Sequence, residues 1–228
     1  MTDRNPSRAA PGGAQKGRAS KMRPYHHGSL PEALLHAAET VLQRDGMRGL
    51  TLRSIAREAG VSHTAPQHHF GNTAGVLSDL AAIGHMRLAA EMATHARGKR
   101  PGKGKRKAIA RAYIDFAVVN PDLFRLMSRN ELLDSERPSL VEARSVSARA
   151  LTGVFDVVTS PDAQPAPFTG LDAAQAVSIT TAWAYVHGLA TLLVDRRLDG
   201  LARGVPAFAD ARALVDKAID AIEVAEGL

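Results

Sequence analysis

The chain has 228 residues, with 29 Lys and Arg against 23 Asp and Glu, nine His, ten aromatics and no Cys. A chain of this length holds one large domain or two small ones and buries roughly 70% of its unfolded surface. The lack of Cys excludes a disulfide framework, a thiolate metal site and a Cys nucleophile, and it fits a cytoplasmic protein. With 45% apolar residues and few aromatics, helix-rich packing is expected over a β-sandwich.

The net charge of +6 is unevenly spread. Residues 1–24 carry +5 and residues 97–107 carry +7, so the remainder is an acidic body of −6. Such asymmetry points to a polyanionic partner rather than to a fold property. Residues 1–24 have no periodicity and no apolar core of a signal peptide, and they are expected to be a disordered basic tail.

Order is expected from Tyr25. Ser29-Leu30-Pro31-Glu32 reads as a capping box with proline in the first turn. Leu34, Leu35, Ala38, Val41 and Leu42 then recur at helical spacing up to a glycine stop at Asp45-Gly46. A short helix capped by Thr51 buries Leu52, Ile55, Ala56 and Ala59 and ends at Gly60. Ser62 is expected to cap a third helix running to about Phe70. Three short helices, the last two joined by Ala59-Gly60-Val61-Ser62, describe a helix-turn-helix.

A long helix is predicted over 73–97, then a basic loop at 97–107. Next comes a helix with Tyr113 and Phe116, broken at Asn120-Pro121. Phe124 and Met127 lie on the helix that follows, and another runs from Pro138 to about Val158. After a proline-rich loop at 160–170, Ala173–Val194 holds no formal charge and is long enough to span a bilayer. Its Gln175, Ser178, three Thr and His187 favour a fully buried helix of a soluble protein, without a membrane role. A connector from Gly200 to Pro206 leads to a last amphipathic helix. No strand and no internal repeat is expected, so the fold class is all-α.

The stretch Gly49-Leu-Thr-Leu-Arg-Ser-Ile-Ala-Arg-Glu-Ala-Gly-Val-Ser62, followed by His69-Phe70 and Val76-Leu77, resembles the TetR family of bacterial transcriptional regulators. Trp183 followed by His187-Gly188 resembles its WHG-type C-terminal domain. The resemblance spans about residues 25–226. It implies a helix-turn-helix DNA-binding domain over 25–72, continuing into helix 73–97, and a ligand-binding and dimerisation domain over 98–228. It further implies a homodimer on a palindromic operator, most simply a repressor released by a small-molecule effector.

In a helix-turn-helix the first turns of the second helix face base edges. Here His63, Thr64, Ala65, Gln67, His68 and His69 occupy that place, Gln67 being suited to adenine and Ala65 or Thr64 to a thymine methyl. Thr51 and Ser62, at helix N-termini, are placed for phosphates, with Arg53 and Thr73 alongside. Gln67 stands where the family usually has Tyr, and Thr73 where it usually has Lys. With few cations in 49–72, the basic tail is expected to supply charge toward DNA. The same departures keep open an alternative, a TetR-fold ligand or protein binder with weakened or lost operator recognition. His63, His68 and His69 have only Glu58 nearby, so no metal site is expected, and no cofactor. No nucleophile elbow, phosphate loop or paired catalytic carboxylates appear, so no enzyme and no catalytic residue is expected.

Trp183 and His187 are four apart and share a helix face. With Tyr113, Phe116, Phe124, Met127 and Thr180 they are the expected lining of an apolar effector pocket. A helix apolar all round needs two partners. Helices at about 172–194 and 206–226 are therefore expected to form a two-fold dimer interface.

Overall fold

The computed structural model describes residues 29–152, 168 and 170–221. Among these all regular structure is helical: α1 Leu30–Gly49, α2 Leu52–Ala59, α3 Ala65–Phe70, α4 Thr73–Ala96, α5 Lys103–Val119 and α6 Pro121–Met127. α7 Pro138–Thr152, α8 Ala173–Val194, α9 Asp199–Arg203 and α10 Ala211–Ala221 follow, with a 3₁₀ turn at Asn130–Leu132. The expected basic tail 1–24, the end of the helix placed to about Val158, the prolines of 160–170 and the chain past 221 lie outside the described residues.

Local chemistry explains the helix ends. The Glu32 carboxylate accepts the Ser29 amide at 3.1 Å, with Pro31 in the first turn of α1. At Gly46 the backbone turns to φ 67°, kinking α1 one turn before its end at Gly49. Thr51 caps α2 by accepting the Ser54 amide at 3.1 Å while the Ser54 hydroxyl takes the Thr51 amide at 2.9 Å. Gly60 closes α2 in the left-handed conformation (φ 69°, ψ 30°), which a side chain would strain.

Leu34, Ala38, Val41 and Leu42 on α1 and Ile55 on α2 are fully buried with Val76 and Leu80 of α4. This gives the small headpiece its core. Fully burying such aliphatic side chains is worth roughly 2 kcal/mol each. Phe70, only 5% exposed, carries the end of α3 into that core. Gly75 lets α4 start there, because a Cβ on it would lie 2.1 Å from the Phe70 carbonyl oxygen. α4 then runs out of the headpiece, and α5, α6 and α7 pack along it.

Two expectations need correction. The basic run at 97–107 is not one loop, because Lys103–Lys107 form the opening of α5. The apolar spacing of Ile109, Ala112 and Tyr113, all buried, propagates the helix backward through them. Lys107 donates to the Asp220 backbone carbonyl at 2.7 Å, and Arg111 to the Asp220 carboxylate at 2.6 Å. These cations fasten α5 to α10. Nor is α8 buried all round: of its residues only Ile179, Val186 and Ala190 are buried, while Val177 and Trp183 are 65% and 48% exposed. One chain covers one face of α8, packing it against α5, α7 and α10, with the Tyr185 hydroxyl donating to the Ala218 carbonyl at 3.0 Å. α8 is long and apolar enough to cross a bilayer.

Candidate DNA interface and ligand cavity

The helix-turn-helix presents a polar surface around α3. His63, Thr64, Gln67, His68 and His69 are exposed, and Ala65 is half-buried beside buried Pro66. The helix starts at Ala65, later than its predicted cap. A proline fits only the first turn, so Pro66 sets the start. Ser62, expected as the N-cap, sits in the preceding turn, where its carbonyl accepts the Ala65 amide at 3.0 Å. Its hydroxyl lies 2.9 Å from that of Thr64, the residue at the N-cap itself.

Around this helix, Thr51 and Arg53 are exposed at the start of α2, and Thr73 is half-buried in the first turn of α4. Asn72, which sequence reasoning passed over, caps α4 by accepting the Gly75 amide at 2.9 Å. Arg53 makes no ion pair among the described residues, whereas Arg44 is held by Asp45 at 2.9 Å and Glu58 at 2.6 Å. The headpiece cations therefore differ in availability to a phosphate.

In the C-terminal helices lies a cavity of about 720 Å³. Tyr113, Phe124, Met127, Trp183 and His187 line it, as the sequence led us to expect. Phe116 and Thr180 do not. Phe116 is packed into the general core, only 4% exposed. Thr180 is exposed, its hydroxyl donating to the Ala176 carbonyl at 2.8 Å.

Tyr113, His187 and Phe124 form one cluster. The phenol oxygen is 2.9 Å from His187 Nδ1, and the Phe124 ring lies 5.9 Å from Tyr113 and 5.3 Å from His187. Burial pushes the Tyr113 phenol up to about 12 against an opposing Trp183 hydrogen bond, and burial pushes the His187 imidazole down. Both are neutral near pH 7, as suits an apolar wall.

The opposite wall was not anticipated. His85, Leu88 and Met92 come from α4, and Arg144, Ser147, Ala148 and Leu151 from α7. The His85 imidazole is pushed down to about 4, first by burial and then by the nearby Arg144 charge. Its Nδ1 lies 2.9 Å from the Ser147 hydroxyl, which donates to the Arg144 carbonyl at 3.0 Å. The spacings 85, 88, 92 and 144, 147, 148, 151 are single helix faces, and that periodicity was the available signal.

A polar node joins this wall to the headpiece. Arg137, beside the start of α7, donates twice to Asp79 of α4, both at 2.7 Å, and Ser139 donates to the same carboxylate. The Arg137 guanidinium lies 6.0 Å from the centre of the Phe70 ring. Ser78, wholly buried, accepts the Asp134 amide at 2.8 Å. The end of α3, the start of α4 and the start of α7 thus meet at one point.

Comparison with known proteins agrees with this architecture. Residues 34–80 match the family described as bacterial regulatory proteins, tetR family, and residues 107–222 match the tetracyclin repressor-like C-terminal domain. A Rhodococcus sp. RHA1 protein of unknown function is 35% identical, with a TM-score of 0.66 over 87% of this chain and 96% of its own. The transcriptional regulator FadR from Bacillus subtilis, solved in complex with stearoyl-CoA, has a TM-score of 0.57 at 17% identity, over 83% and 95% of the two chains. An uncharacterised HTH-type transcriptional regulator of Bacillus subtilis (strain 168), YobS, is 25% identical over 97 residues. That match takes in 42% of this chain and half of the relative's length.

Proposed function

Because the chain belongs to the TetR family of bacterial regulatory proteins, we propose that it is a cytoplasmic repressor, released from its operator by a small hydrophobic effector. Two copies bind a palindromic site. Each recognition helix offers His63, Thr64, Ala65, Gln67, His68 and His69 to the major groove, with Thr51, Arg53, Ser62 and Thr73 toward phosphates. A second copy, rather than lipid, covers the exposed side of α8 together with α10. The effector occupies the cavity between the Tyr113–His187 wall and the His85–Arg144 wall, and FadR with stearoyl-CoA is a precedent for a ligand with a long acyl chain in this fold.

The observation that carries this reading is the node of Arg137, Asp79 and Phe70. Two recognition helices read successive major grooves only when they are about 34 Å apart. An effector that prefers another spacing weakens DNA binding by the same coupling energy, typically 1–3 kcal/mol. α7 forms one wall of the cavity and begins beside Phe70, so a shift of α7 reaches the recognition helix directly, and α4 carries the rest. The test is a gel shift of the full-length protein on the DNA upstream of its own gene. Retarded DNA in a two-fold symmetric footprint is expected. Failure to retard any such DNA, with a folded dimer present, would favour the alternative of a binder without an operator.

A further inference from the structure

Among the described residues, the lining of the cavity includes one permanent cation, Arg144, and no Asp or Glu. Among the described residues Arg144 pairs with no carboxylate, and its one polar partner is the Asn130 side-chain oxygen at 2.6 Å. A guanidinium has five donors in a fork that fits a carboxylate. Ser128, Ser135 and Ser145 stand on the same lining. Beside these polar groups and the Arg144 charge, Phe124, Trp183, Leu151 and Phe168 give the lining apolar surface.

We propose that the effector is a hydrophobic carboxylic acid, with the Arg144 guanidinium holding its carboxylate. The apolar chain lies toward Phe124 and Trp183. The assignment rests on the cavity being the effector site and adds to it a head-group chemistry.

The test uses the full-length protein and two probe series of eight to sixteen carbons: straight-chain alkanoates and primary alcohols. Binding is measured by calorimetry, and release of operator DNA by gel shift. At the best chain length the acid binds roughly tenfold tighter than the alcohol. Arg144→Met erases this ratio, the variant being checked for folding by its melting curve and by retained alcohol binding. The ranking on the unaltered chain needs no variant. If alcohols bind and release DNA as well as acids do, the head-group assignment is overturned while the effector site stands. If no probe of any length binds, both fall.

Discussion

Replacing Arg137 by Met keeps most of the side-chain volume and removes the charge that joins α7 to α4 beside the recognition helix. In the native chain Asp79 is 16% exposed and Arg137 22%, and they share two hydrogen bonds of 2.7 Å. The pairing holds the guanidinium above its ordinary pKa. Hydrogen bonds between charged groups contribute about 1.5–3 kcal/mol each, and the residual exposure lowers that, so about 2–3 kcal/mol is expected for the pair. Arg137→Met alone costs about 3 kcal/mol, because a mostly buried carboxylate keeps only Ser139. For a chain of this size that is a fall in Tm of about 6–10 °C. The assay is a double-mutant cycle, with urea and thermal melts of the native protein, Arg137→Met, Asp79→Asn and the double variant. A coupling energy near 2 kcal/mol is expected. A coupling below about 0.5 kcal/mol, the value of an exposed pair, would refute the node as a structural link.

Other outcomes follow from the same structure. His85 is neutral in the folded chain down to about pH 4, whereas the unfolded chain takes up a proton through pH 6.5. Stability should therefore be full above pH 6.5 and decline by up to about 3 kcal/mol as pH falls to 4; chemical denaturation at several pH values checks this, and His85→Phe should flatten that part of the curve. Gly75→Ala places a methyl against the Phe70 carbonyl and should lower both Tm and operator affinity, since the backbone at the end of α3 must move; an unchanged melt contradicts the close approach. Arg53→Ala should reduce the salt slope of operator binding by about one, uniformly across sequences, while Gln67→Ala should lose about 1–3 kcal/mol of discrimination at one base pair. Removing residues 1–24 should weaken binding and flatten its salt dependence; an identical slope would show that the tail does not reach DNA.

Local signals carried the headpiece. Thr51, Gly60 and the 3.6-residue spacing of Leu34 to Leu42 each act within one or two turns, so the helices and their order were legible without a structure. Pro66 was also in view and should have moved the start of α3 to Ala65. The cavity was half legible. Trp183 and His187 share a face by spacing alone, but Phe116 lies on a helix apolar on several sides, where periodicity cannot say which side meets a cavity. His85 and Arg144 were missed because each reads as an ordinary member of its own helix. Only the packing of α7 along α4 brings them together. Lys103–Lys107 misled for the opposite reason: charge and Gly104 looked like a loop, and the Lys107 partner Asp220 is over a hundred residues away.

Trp183 is the chain's single tryptophan, and it forms part of the cavity wall while remaining 48% exposed. Its emission therefore reports from one place, with no label and no background from other indoles. An occupant that reaches the Tyr113–His187 wall changes the polarity around that indole, while a second copy settling on α8 does so from the outer side. The two events differ in concentration dependence, because occupancy follows the ligand and assembly follows the protein. A fluorescence titration along each axis separates the filling of the cavity from the closing of the dimer in the same sample.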